Sequence, residues 1–486
     1  MKKIDRALWT VGLLLALALS AAASPAEFSL CPYQDRPVVT GDRTQAQVPK
    51  ENYERADMVK KRPWIAAIET PAICVGNWLV DRYIAKNAFS YITWSSIKDN
   101  FRGGWTWDDD KYGESFFGHP YQGSQFYNSA RSLGLNTWES LPYPAIGYFI
   151  WGFFFENDQP SINDQILDVL GGVNLGELEF RLSSQVLDDS ATGGNRVWRE
   201  VVAFLLNPIR GFNRVLYGDA FRTSAMNLQA REPIHGSLSF GGSLVSDSWN
   251  LSQLHFSPGV SIDLLYGADS SGIVTGHPFD LIVFNGDLRY SHFHSRGFEA
   301  LSMYGPWYAK SWGGSTGQSY ALGVFQHYDM INNEAFNMGG TSTTLGFISV
   351  LPLGGGFELK SSIQAGALLL GGVRNDFLMI GDRDYDYGMG FTGKVDAWLS
   401  HSSLGTLSLH FAHIRSWGFT GRTPTEFDES RDVVTLLTAR YTVPIASAWA
   451  VSLDYGRFAL RQSFQGGPQN IVKDSSRVGA GLAWRF

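Results

Sequence analysis

His119, Glu156 and Asp164 bring together the residue types used for proton transfer and for holding cations. A histidine beside a carboxylate can exchange protons near neutral pH, and the same donors can ligate a metal ion. Their spacing matches no strong metal template such as H-E-x-x-H, so the sequence assigns no metal and no cofactor. Neither a G-x-S-x-G elbow nor a phosphate loop accompanies them. We take His119, Glu156 and Asp164 as the candidate catalytic set, with Tyr121, Arg131, Ser161, Asn163 and Glu177 as a polar network around them. A purely structural role is equally physical. His119 could bond a helix start, Arg131 could pair with Glu156 or Asp164, and Asp164 could serve the N-terminus of its own helix. Buried charges in an apolar bundle must be paired whatever the function.

Several helices would have to converge to position these groups. The first is read over about Pro120–Arg131. The second covers about Tyr143–Glu156, its start fixed by Pro142 and Pro144. The third takes Ser161 as N-cap and Asp164 at its third position, where the helix dipole favours a carboxylate. Gly172 and Gly176 along it form a small-residue pair that lets another backbone approach closely. A fourth runs over about Val197–Tyr217, interrupted by Pro208. Upstream, about Trp64–Ile97 reads as helical, with a start at Thr70-Pro71 and a break over Asp99–Gly104. Trp105–Asp110 then reads as a solvated acidic loop; it lacks the oxygen spacing and closing Glu of a calcium loop. The apolar run Ala145–Phe155 is too short to span a bilayer, so it is expected buried in the bundle, tucked against a β-barrel, or dipped into the inner leaflet, with burial in the bundle as the default.

Four pieces in this block have a distinctive order: His-Pro-Tyr-x-Gly at His119–Gly123, Tyr-x-x-x-Arg at Tyr127–Arg131, Pro-Ser-x-Asn-Asp at Pro160–Asp164 and Gly-Gly-x-x-x-Gly-Glu at Gly171–Glu177. In them the chain resembles an uncharacterised family of bacterial outer-membrane proteins. That family has an N-terminal domain of unknown function followed by a β-barrel. It usually carries a Trp-Glu pair in the second helix, where this chain has Trp151-Gly152, although Glu156 is kept. The resemblance implies a location and an architecture, and no activity.

The second half reads as strands. About twelve segments near 237–246, 249–267, 278–292, 297–311, 318–331, 335–351, 356–372, 386–400, 404–418, 431–444, 447–463 and 474–486 form an antiparallel membrane β-barrel. Period-two alternation marks several, for example Phe357, Leu359, Ile363 and Ala365 against Glu358, Lys360 and Gln364. Longer connections near 373–385, 419–430 and 464–473 alternate with short turns, as in outer-membrane barrels. The last strand ends on Phe486, read as part of the signal taken by the barrel-insertion machinery. Inward polar residues are expected at Asp263, Asp287, Arg289, Glu358, Lys360, Asp396, His410, Arg440 and Asp454, forming a charge-paired lumen; a narrow porin is the alternative.

Composition agrees with that architecture. Charged residues are 17%, aromatics 14%, and 53 of the 486 residues are Gly. A net charge of -7 gives no sign of a nucleic-acid partner. Lys2, Lys3 and Arg6 precede an apolar Leu8–Leu19 run and Ala21-Ala22-Ala23, the pattern of a secretory signal peptide over 1–23. Residues 24–62 read as a polar, Pro-punctuated leader, 63–222 as the helical domain and 236–486 as the barrel. Cys31 and Cys74 could form a disulfide in an oxidising compartment, or remain thiols. Together these features describe a Gram-negative outer-membrane protein with a periplasmic N-terminal domain and membrane lipid as partner. Its role is structural or binding, with a lipid- or envelope-modifying enzyme as the alternative.

Overall fold

The computed structural model describes residues 60–229, 231–247, 254–269, 272–273, 275–290, 298–313, 317–377, 382–419, 430–464 and 470–486. The signal peptide, nearly all of the leader and Cys31 lie outside the described residues. Twelve antiparallel strands close into a barrel. They are β1 (Ile234–Asp247), β2 (His255–Tyr266), β5 (Ile282–Arg289), β6 (Phe298–Gly313), β7 (Ser319–Asn332), β8 (Asn337–Gly354), β9 (Phe357–Arg374), β10 (Tyr385–His401), β11 (Gly405–Gly418), β12 (Ser430–Pro444), β13 (Trp449–Phe464) and β14 (Ile471–Arg485). A small ribbon that the alternation did not announce, β3 (Ala268–Asp269) with β4 (Gly272–Ile273), sits between β2 and β5.

The last strand is the seam, because β14 pairs with both β13 and β1. Phe486 is tied in by its backbone: its N–H donates to Gly236 O at 3.0 Å, and its carbonyl accepts from Gly236 N–H at 2.9 Å. Closure removes every exposed strand edge, which in hydrocarbon would leave unsatisfied amides.

Ion pairs between strands that are not neighbours identify the inward face, since such pairs must cross the interior. Arg440 on β12 meets Asp263 on β2 across the interior, and also its register partner Asp454 on the adjacent β13. Arg477 on β14 meets Asp287 on β5 and Glu299 on β6. Lys394 on β10 meets Asp329 on β7. Beside this charged layer lies an apolar one, in which Ile331, Phe336, Leu368, Ile414, Phe458 and Leu460 pack together from strands around the barrel. In places the alternation is reversed here, with Ile414 turned inward and its neighbours His413 and Arg415 exposed on the opposite face. A cavity of about 340 Å³ remains in the lumen. The opposite face carries Phe256, Leu345, Ile363, Phe391, Leu453 and Val478, all exposed.

The helices are α1 (Pro63–Leu79), α2 (Trp94–Gly103), α3 (His119–Arg131), α4 (Thr137–Ser140), α5 (Pro142–Phe154), α6 (Ile162–Val186), α7 (Gly193–Leu206) and α8 (Pro208–Leu216). Two expectations are corrected. Pro71 lies inside α1, which begins at Pro63. Asp99–Gly103 belongs to α2, whose start is fixed by a capping box between Thr93 and Ser96.

The helical block docks on the outside of the barrel wall. Tyr328 and Met330 alternate with inward Asp329 and Ile331, so they face outward. There Tyr328 Oη donates to the carbonyl of Phe116. Gly339 and Gly372, partners in register on β8 and β9, form a notch for the Phe116 ring. A Cβ at either would meet that ring at 2.2 or 2.6 Å. At the far end of α6, Arg181 reaches Pro278 O at 3.1 Å and Tyr266 Oη at 3.4 Å. The helix therefore runs across the outside of the strands, from the β10 side to the β2 side.

Candidate functional site

Close helix packing assembles the site. Gly123 of α3 lies on the backbone of Asp168, where a Cβ would come within 2.0 Å of the carbonyl oxygen. Gly172 faces Gly123 from the other side, with 2.6 Å left for a Cβ. Side chains at these positions would push α3 and α6 apart. Their contact brings His119, at the start of α3, against the first two turns of α6.

A returning loop completes the arrangement. Thr106 N–H donates to Pro160 O at 3.0 Å and Ile162 N–H to Thr106 O at 2.8 Å, so residues 105–111 run beside the start of α6. Asp108 and Asp110 are thereby turned into the site, which corrects the reading of a solvated acidic loop. Asp108 accepts from Asn163 Nδ2 at 2.9 Å and from Tyr387 Oη on the barrel at 2.8 Å.

His119 is the centre. Its Nδ1 bonds Asp168 Oδ2 at 3.0 Å. Its Nε2 lies between Asp164 Oδ1 at 3.3 Å and Asp110 Oδ2 at 3.5 Å. Asp164 also accepts from Tyr148 Oη at 3.2 Å, from Ser161 Oγ, and from Asn163 Nδ2 at 2.9 Å. Ser161 caps α6 as expected, its Oγ accepting from Asp164 N–H at 3.2 Å. Arg383 donates to the backbone carbonyl of Asp108 at 3.3 Å.

Electrostatics follow from this crowding. Burial alone would depress His119, but Asp164, Asp110 and Asp168 hold it well above the ordinary imidazole value. Burial, and then the charge of Asp108, push Asp164 well up. Burial raises Asp168 to about 6, against the pull of His119. These shifts describe a group of acids that share too little positive charge.

Glu156 does not join His119 by a hydrogen bond. It accepts from Trp151 Nε1 at 2.6 Å, and burial raises it to about 8. Arg131 pairs with neither Glu156 nor Asp164. It and Arg181 bracket Glu177, at 2.7 and 3.0 Å, and Tyr127 and Thr137 donate to the same carboxylate. Burial opposes that charge, but the two guanidiniums overcome it and hold Glu177 at about 2. Tyr121 stays outside both groups, its ring stacked on Phe117. Cys74 is buried, with its thiol directed at Gly147 O at 3.6 Å.

A family model described as "Domain of unknown function (DUF3943)" matches residues 104–209. The matched segment contains all four motifs noted in the sequence, and it takes in Asp108, Asp110 and Asp168 as well. No curated protein matches the chain. Among solved structures, NanC porin is similar at 12% identity, with a TM-score of 0.25 over 50% of this chain and 98% of that one. An outer-membrane channel from Pseudomonas putida F1 is similar at 11%, with a TM-score of 0.26 over 53% and 96%. The outer-membrane channel DcaP of Acinetobacter baumannii is similar at 8%, with a TM-score of 0.22 over 52% and 96%.

Asp108, Asp110, Asp168 and Arg181 were not picked out by sequence reasoning. Asp168 carried a usable signal, since it stands one helical turn after Asp164 on the same face of α6. The aspartates of the loop carried none, because only the tertiary return beside Pro160 brings them in.

Proposed function

We propose that this protein is anchored in a bacterial outer membrane by its barrel and holds a divalent cation in its helical domain, with Asp110, His119 and Asp164 as ligands. The observation that carries this reading is the orientation of His119. Asp168 takes Nδ1, which fixes the ring and presents Nε2 to the two remaining carboxylates; a carboxylate behind a ligating histidine is a recurrent device. One donor atom from each of Asp110, His119 and Asp164 lies within 4.8 Å of the others. Bonds of about 2.1 Å in tetrahedral geometry put ligand atoms roughly 3.4 Å apart, and His119 Nε2 stands 3.3 and 3.5 Å from the two carboxylate oxygens. One imidazole with two carboxylates suits zinc, manganese or iron better than calcium. The cation also supplies the positive charge that this group lacks. In this reading Phe486 is presented to the insertion machinery.

Calorimetric titration of the chelator-stripped, detergent-solubilised protein with Zn²⁺ and Mn²⁺ tests the site. Saturable uptake of one ion, abolished in His119→Ala and Asp164→Asn, is expected. Equal uptake by wild type and both variants, or none by any, would overturn it.

A second reading has its own support. The Asp110 side chain is 43% exposed, so the His119 group has a side open to solvent. With Asp168 as orienter, His119 could then exchange protons with a substrate. Lipid profiles of a deletion strain complemented with wild type or His119→Ala decide this; identical profiles remove the enzyme. For the barrel, cross-lumen ion pairs and the apolar layer favour a filled pillar over a pore. A silent planar bilayer is expected.

A further inference from the structure

We infer that the outer side of the helical block, formed by α1, α7 and α8, is immersed in membrane hydrocarbon, so that the block is a lipid-facing bundle standing against the barrel wall. Two independent observations meet here. The first is amphipathicity turned inside out. On α7, Arg196 and Arg199 are 7% and 6% exposed, while Val197 and Val201 are 63% and 53% exposed. On α8, Arg210 and Arg214 are buried while Phe212 and Leu216 are exposed. The α1 helix presents Trp64 and Ile68 outward and turns Glu69 inward toward Asn213.

In water a surface helix does the reverse, with its charges out and its apolar stripe in. Here the buried arginines are satisfied within the protein. Arg196 and Arg214 both pair with Asp189 and Glu200. Arg210 donates to Phe180 O, Ser183, Ser184 and Gln229. Charges paired inward and apolar side chains turned outward are what hydrocarbon demands of a helix.

The second observation is continuity. The block is docked on the outward face of the wall, through Tyr328, Met330, Gly339 and Gly372. Elsewhere that same face carries exposed Leu345, Ile363, Phe391 and Leu453. Whatever solvent meets those strands also meets the far side of a bundle seated among them. None of the described helices is long and apolar enough to cross a membrane alone. The arrangement does not require that, since the barrel anchors the block and only one side of it faces lipid.

The inference rests on the membrane reading of the barrel and is independent of the cation site. It is tested with the full chain in liposomes, in a background with Cys31→Ser and Cys74→Ser, by spin-labelling single cysteines and measuring collisions with oxygen and with a water-soluble nickel chelate. Val201→Cys on α7 and Phe212→Cys on α8 are the probes. Leu345→Cys marks the barrel wall, and Lys98→Cys, at an exposed cationic position on α2, serves as the aqueous reference. Oxygen-rich, nickel-poor profiles at 201 and 212 that match 345 are expected. Nickel accessibility equal to that at 98 would overturn the inference. Protection from both reagents would also overturn it, since a protein partner or second copy would then cover the face. If 345 itself proved open to nickel, the membrane reading of the barrel would fall instead, which separates the two failures.

Discussion

Two polar groups lie along the same helix, about three turns apart on α6, and they solve the problem of buried charge in opposite ways. Around Glu177 the account closes, with two guanidiniums against two carboxylates, Glu177 and the Asp280 that also meets Arg181, and with the Tyr127 and Thr137 hydroxyls donating to Glu177. Around His119 it stays open, with Asp108, Asp110, Asp164 and Asp168 facing a single imidazole. A buried ion pair must compensate its own desolvation, and the first group does so internally. The second requires protons or a cation. One α-helix thus carries a strut and, in the proposed reading, a receptor, and the distinction rests on which charges accompany a carboxylate rather than on how deeply it is buried.

The largest expected effect comes from breaking the strut. Glu177→Ala leaves Arg131 and Arg181 buried without their shared partner, and should destabilise the helical domain by about 3–5 kcal/mol. Thermal unfolding followed by near-ultraviolet circular dichroism checks this; a loss below about 1 kcal/mol would mean that the arginines find other partners. Asp168→Asn is the matching lesion at the receptor. It keeps the shape but weakens the grip on His119 Nδ1, so it should lower cation affinity by about 10–100-fold while stability changes little. Calorimetric titration beside a melting curve separates the two quantities.

Removing a ligand should even reverse the sign of the stability effect. Asp164 is buried among other acids and held well above its ordinary value, so the stripped fold must take up a proton there, a cost that Asp164→Asn removes. A gain of roughly 1 kcal/mol is expected without metal, together with loss of any stabilisation by added Zn²⁺. If Asp164→Asn destabilised the stripped protein as Glu177→Ala does, the two groups would be the same kind of object, and the comparison would fail.

How much of this was legible differs by region for a physical reason. The strands of the barrel were readable because a wall with an apolar outer face and a polar interior imposes period two on the chain, and the segment near 357–372 shows it directly. Ser161 and Asp164 were readable because helix caps are local. Docking was not. Gly339, Gly372 and Tyr328 look in sequence like any lipid-facing positions, and only the shape of Phe116 reveals that a helix covers them. Asp108 and Asp110 were misread for the same reason, since a loop made of carboxylates looks solvated until a second segment is known to lie beside it. Arg196 and Arg199 follow the helical period faithfully, yet the period alone does not say which face meets water.

The smallest effect to look for is in pH, and it again divides the two groups. Glu177 is held at about 2, below its ordinary value of 4.5. Its contribution is therefore complete above pH 4.5 and is lost only as the pH falls toward 2. Glu156, near the receptor, is displaced the other way, from 4.5 to about 8. The fold retains that proton while the unfolded chain releases it, so the contribution is complete below pH 4.5 and declines as the pH rises toward 8. Glu156→Gln keeps an acceptor for Trp151 Nε1 and cannot titrate, so it should flatten the alkaline decline of the stripped protein while leaving the acid limb in place. Denaturant midpoints at pH 3, 6 and 8.5 for both proteins provide the check. Parallel curves would show that Glu156 already ionises in the fold, and would place its charge among those the receptor must neutralise.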